Sequence, residues 1–183
     1  MTEFADRYRR IAGEFTERVE QVPQDAWDNP APCDGWVTRD VVGHLVEWLP
    51  AFFFERWDLE SGARPTVEDD PVKAWAAVNA VIQAALDDPA QATAVRDTPM
   101  GPQSFEQAFD MIGTNDVFMH TWDLSRAAGL DETLDPVEVH NLLTGMEPMD
   151  EMLRQSGQYG PRVSVPDDAD EQTKLLAFIG RDV

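Results

Sequence analysis

Cysteine is nearly missing from this chain: Cys33 stands alone among 183 residues. An internal disulfide and a zinc site built from several thiolates are therefore both excluded. Histidine is almost as scarce, with only His44, His120 and His140, so a protein-held metal would have to use imidazole and carboxylate. No stretch approaches the roughly 18 to 20 apolar residues of a membrane span, and the opening MTEFADRYRR has no apolar signal centre. Cations are few as well. Fourteen Lys and Arg face 35 Asp and Glu, a formal net charge of −21, which repels phosphate backbones and anionic lipid. These absences predict a cytoplasmic protein without nucleic-acid or membrane partners. The acids are scattered rather than gathered into a tail, so they read as a solvated surface, and such a surface permits either a monomer or a homodimer.

What is present is helical periodicity. Phe4, Tyr8, Ile11, Phe15, Val19 and Val22 recur at spacings of three and four, predicting a first helix from Thr2 to Val22. Pro23, Pro30, Pro32 and Gly35 break the next segment, a loop expected to be pinned to the core by Trp27 and Trp36. Thr38 is placed to cap a second helix carrying Val41, Val42, His44, Leu45 and Leu49; Pro50 should end or kink it, although AFFFERW could carry it two turns further. Asp70 and Pro71 open a third helix with a Trp75, Val78, Ile82, Leu86 stripe, stopping near Pro89.

After a polar connection, Ser104 and Gln107 form a capping box for a long fourth helix that reaches Gly129. Asp135, Pro136 and Glu138 open a fifth that Gly157 closes, kinked at Pro148, and TKLLAFIGRD reads as a short final helix ending at Gly180. No alternating β-branched run, repeat or linker is evident. The expected architecture is all-α: one domain over residues 1–183, a helical bundle of four main helices with short additions.

Asp116 and His120 lie four apart on the fourth helix, on one face and about 5 to 6 Å apart at Cβ, close enough to chelate one ion. By itself an Asp-x-x-x-His pair is common. Here, however, it sits among Phe109, Ile112, Phe118 and Trp122, and a buried carboxylate or imidazole needs a partner. His44 lies on a similarly apolar helix, where it could equally be a neutral core histidine bonded to a carbonyl. His140 follows a capping box with no acid at chelating spacing and is left out. Two imidazoles and one carboxylate make a borderline N,N,O set suited to Zn²⁺, and also to Ni²⁺, Fe²⁺ or Mn²⁺. Three protein ligands leave a coordination position open, the catalytic rather than the structural pattern.

The motifs Gly35-Trp36, Gly43-His44-Leu45, Asp116-x-x-x-His120-x-Trp122-Asp123-Leu124-x-Arg126-Ala127 and Gly180-Arg181-Asp182 together resemble the actinobacterial branch of the DinB/YfiT-like superfamily. Its best-known relatives are the mycothiol-dependent maleylpyruvate isomerases, whose metal-binding N-terminal domain is the part resembled. The excess of Arg over Lys and the scarcity of Ile agree with high-GC codon usage. The resemblance implies a DinB-like four-helix bundle with His44, Asp116 and His120 as metal ligands, Asp standing where the isomerases tend to carry Glu. It also implies that the open position takes the sulfur of a small thiol such as mycothiol. Metal coordination favours the thiolate, which would add to an electrophilic substrate in S-transfer or isomerisation.

Trp48 and Phe118 are then candidates to shape the pocket, or ordinary core aromatics. Arg126 is a candidate to hold a substrate carboxylate, or a partner of Asp123. Asp123 reads alternatively as support for a ligand, and Cys33 as a small packed residue rather than a nucleophile. The competing function is a non-catalytic metal- or ligand-binding stress-response module.

Overall fold

The computed structural model describes residues 2–183. Most of them are helical, and they form two compact units, one ending at Asp131 and the other Glu132–Val183.

In the first unit, α1 (Glu3–Gln21) starts where the Thr2 hydroxyl accepts the Ala5 N–H, and it buries Ala5, Tyr8, Ile11, Phe15 and Val19 on one stripe. The loop after it buries Trp27, whereas Trp36 is only half-buried. That second tryptophan is held by a turn, its N–H donating to the Cys33 carbonyl at 3.0 Å with Gly35 at φ 75°, a backbone conformation that favours glycine. Helix α2 (Thr38–Leu49) follows. Thr38 is not its cap, as the sequence had led us to expect, but its first residue. Its hydroxyl instead donates to the Asn29 carbonyl, and the cap position falls on Val37, whose N–H donates to Asp40.

Pro50 does not end the helix. The chain continues through a π turn, Pro50–Phe54. Proline cannot donate to the Val46 carbonyl one turn back, and Arg64 Nη2 supplies that donor at 3.2 Å. Helix α3 (Pro71–Asp87) has Asp70 at its N-cap and buries the expected Trp75, Val78, Ile82 and Leu86; a single turn, α4 (Pro89–Ala92), succeeds it.

The polar connection predicted next is in fact an antiparallel hairpin, β1 (Val95–Thr98) with β2 (Gly101–Ser104). Neither strand alternates apolar and polar residues. The pair is secured locally, the Thr98 hydroxyl donating to the Gly101 carbonyl and Gly101 taking φ 98°, which explains why the hydrophobic pattern does not reveal it.

From Ser104 a helical rod runs to Gly129, with the predicted Ser104/Gln107 capping box and a left-handed end at Gly129. It is built from α5 (Phe105–Ala108), a π turn (Phe109–Thr114) and α6 (Asn115–Ala128). Helix α1 packs on α3 and α6, and α2 packs on the same two. Tyr8, Phe53, Trp57, Phe105 and Phe109 make an aromatic centre with ring centroids 4.7–5.9 Å apart along the chain of contacts.

The second unit contains α7 (Pro136–Met146), a 3₁₀ turn at Pro148, α8 (Asp150–Gln155) and α9 (Glu171–Phe178), with α7 packed on α9. Gln172 ties its lead-in strand of chain by bonding Leu134 N–H and the Glu132 carbonyl. Among the described residues no helix is long and apolar enough to cross a membrane.

Candidate metal centre

Helices α2 and α6 pack together, and His44 from the first meets Asp116 and His120 from the second. Asp116 lies between the imidazoles: Oδ2 is 3.1 Å from His44 Nε2 and Oδ1 is 3.5 Å from His120 Nε2. The two rings are 4.8 Å apart, edge to face. One nitrogen of each histidine and a carboxylate oxygen thus converge within 4.8 Å of one another.

A metal can be tested against these distances. Tetrahedral zinc with ligand bonds of about 2.0 to 2.2 Å separates adjacent N and O donors by about 3.4 Å. The observed N···O distances, 3.1 Å to Oδ2 and 3.5 Å to Oδ1, bracket that value, and with all three donor atoms within 4.8 Å of one another the set fits one ion after local adjustment. Access is graded: His44 and Asp116 side chains keep 26% and 18% exposure, His120 only 8%. His44 and Asp116 are thus the ligands that solvent reaches, and His120 is the enclosed one.

His120 is fixed from behind. Its Nδ1 lies 2.8 Å from Asp123 Oδ2, and Asp123 is completely buried. With the proton on Nδ1 donated to that carboxylate, Nε2 is directed at Asp116. The Cys33 thiol also donates to Asp123 Oδ2, at 3.5 Å. Burial opposes a charged His120, but the Asp116 charge and the hydrogen bonds toward Asp123 and Cys33 outweigh it, and the imidazolium is pushed up to about 10.

Aromatic rings enclose the histidines. Trp36 stacks 5.8 Å from His120 and lies 5.1 Å from His44, while Trp48, half-buried, stacks on His44 at 5.9 Å, interplanar angle 10°. Trp48 is therefore beside the site rather than in the core. Phe118 and Trp122 are buried core residues, each 1% exposed. Arg126 is exposed, its guanidinium 4.9 Å above the Trp122 ring. His140 pairs with Glu171 in the second unit at 2.9 Å. From the sequence alone Trp36 reads as a loop anchor and Cys33 as a small packed residue. Their tie to the site comes from the Cys33–Trp36 turn, which brings the loop over α6, and no spacing rule announces that.

The π turn explains the orientation of Asp116. It ends one residue before Asn115, and Arg7 of α1 bridges it, bonding Asp110 Oδ1 at 2.7 Å and Asn115 Oδ1 at 2.8 Å. Asn115 in turn donates to the Met111 carbonyl inside the turn. An inserted residue rotates everything downstream by about 100° relative to a continuous α-helix, so the clamp sets the direction in which Asp116 and His120 leave the rod.

A family model described as the mycothiol maleylpyruvate isomerase N-terminal domain matches residues 8–125. No curated protein and no solved structure matches the chain.

Proposed function

Since this chain belongs to the family of mycothiol maleylpyruvate isomerase N-terminal domains, we propose that it binds one divalent metal, Zn²⁺ by preference, through His44, Asp116 and His120 and uses it in thiol-dependent S-transfer or isomerisation. In this reading α1, α2, α3 and α6 are the four helices of a DinB-like bundle. The observation that carries the proposal is the convergence of the three donors around Asp116 at 3.1 and 3.5 Å.

Bound there with a position left open, a metal would favour the thiolate form of a low-molecular-weight thiol, mycothiol being the one the family name points to. The chain's residues have the remaining tasks. His44 and His120 each present Nε2, and Asp123 holds His120 in the tautomer that leaves this nitrogen available. Trp36 and Trp48 form apolar walls beside the exposed edge of His44, limiting water near the nucleophile and offering flat surfaces to an electrophilic substrate. Arg126 is the proposed contact for an anionic group on thiol or substrate.

The test is a thiol titration of cobalt-substituted protein. A thiol entering the coordination sphere produces a sulfur-to-cobalt charge-transfer band; the proposal expects one that saturates and that is absent from His44→Ala. Cobalt bound with no response to any small thiol would remove the transferase reading and leave a non-catalytic metal-binding module.

A further inference from the structure

We propose that this protein has a second, sulfur-containing cation site, formed by Cys33, Asp123 and His120 Nδ1, which takes thiophilic divalent ions and excludes occupancy of the His44, Asp116 and His120 site. The exclusion rests on the N,N,O reading given above; the site itself does not.

Three different donors meet there. Cys33 Sγ is 3.5 Å from Asp123 Oδ2, that oxygen is 2.8 Å from His120 Nδ1, and all three atoms lie within 4.8 Å of one another. In a tetrahedral ion with bonds of about 2.3 Å to sulfur and 2.1 Å to oxygen, the S···O edge is about 3.6 Å and the N···O edge about 3.4 Å. The first already matches. The second requires the Asp123–His120 hydrogen bond to open by about half an ångström as an ion replaces its proton. Asp123 is fully buried and His120 nearly so, while Cys33 is half-buried, so an ion would arrive from the Cys33 side.

A neutral imidazole has one proton and one ring lone pair. With the proton on Nδ1, donated to Asp123, the lone pair is on Nε2 and serves the N,N,O set. With the proton on Nε2, where Asp116 Oδ1 can accept it, the lone pair is on Nδ1 and serves the sulfur set. One ring cannot do both as a neutral ligand, so the two sites compete through the tautomer of His120. Ligand softness then sorts the ions: thiolate favours soft cations, whereas two imidazoles and a carboxylate suit borderline ones. On binding, the Cys33 thiol proton leaves to solvent and the sulfur coordinates as thiolate. A thiophilic ion held this way would block the N,N,O site without touching His44.

The probe is Cd²⁺ added to the metal-free full chain, read by its sulfur-to-cadmium charge-transfer band in the near ultraviolet. We expect a band saturating at one equivalent, lost in Cys33→Ser, retained in His44→Ala, and titrating about tenfold more weakly in Asp123→Asn. Added Zn²⁺ should erase the band in the wild type. In Cys33→Ser, Zn²⁺ affinity should stay within about threefold of wild type, since a thiol is only a weak donor to Asp123. Absence of the band in the wild type, or a band that Asp123→Asn leaves untouched, overturns the site. A band that persists while a full equivalent of Zn²⁺ is also bound overturns the exclusion. If His44→Ala keeps both the cadmium band and wild-type zinc affinity, the N,N,O reading fails while the sulfur site stands.

Discussion

Asp123 Oδ2 lies 2.8 Å from His120 Nδ1, one helical turn away on α6, with the carboxylate wholly buried. A buried carboxylate is stable only with such partners, and the same bond settles which nitrogen of His120 faces Asp116. Asp123→Asn keeps the shape and removes the charge. Zinc affinity should fall about 10- to 100-fold, measured by competition with a chromophoric chelator, while circular dichroism stays that of the wild type. Unchanged affinity would show that Asp123 is packing alone.

The proton on His120 gives a pH dependence with a definite sign. Its folded value of about 10 lies above the ordinary 6.5, so its stabilising contribution is complete below about 6.5 and is lost as pH rises through about 10. The melting temperature of metal-free protein should therefore fall between pH 7 and 10, and fall less in His120→Gln. Zinc must displace this proton, so apparent affinity should rise about tenfold per pH unit between about 7.5 and 9, as measured by calorimetry in buffers of differing ionisation heat.

Arg7 reaches both ends of the π turn that precedes Asp116. Arg7→Ala should weaken zinc binding by roughly tenfold and alter the cobalt spectrum, because the ligand pair leaves the rod in a changed direction. Arg7→Lys should not restore the spectrum, since a single ammonium lacks the planar fork that spans Asp110 and Asn115. A variant with lower stability and an unaltered cobalt spectrum would confine Arg7 to a structural role.

Within that turn, a Cβ on Gly113 would meet the Phe109 ring at 2.7–3.0 Å. Phe109 is fully buried between Tyr8, Phe53 and Phe105 and cannot swing aside. Gly113→Ala should cost about 1 to 3 kcal/mol in urea unfolding, despite alanine's better helix propensity. A stabilised variant would mean that the π turn is not tightly packed.

The positions of α1, α3 and the rod ending at Gly129 are legible in the sequence because each carries an apolar stripe, coupled in α3 and the rod to a local start or stop signal. Asp70, Ser104 and Gly129 act where those signals place them, and α1 follows its apolar stripe. The π turns are not legible, since they result from tertiary demands: Val46 O is satisfied by Arg64, and the second turn is held by Arg7, 103 residues from Asp110. The hairpin is not legible for the opposite, local reason: its stability lies in backbone bonds and the Thr98 hydroxyl rather than in an apolar pattern. At the site, Asp116 and His120 could be paired by helical spacing. Bringing His44 to them depends on α2 packing on α6, and bringing Trp36 and Cys33 depends on a loop turn around Gly35.

If His44, Asp116 and His120 hold one ion jointly, zinc content should show it once Cys33→Ser prevents the sulfur site from retaining the ion. Measured by inductively coupled plasma mass spectrometry after zinc reconstitution and gel filtration, Cys33→Ser should carry one zinc per chain and the Cys33→Ser/His44→Ala double variant almost none; equal zinc in both, or none in either, would mean that the three residues do not bind together.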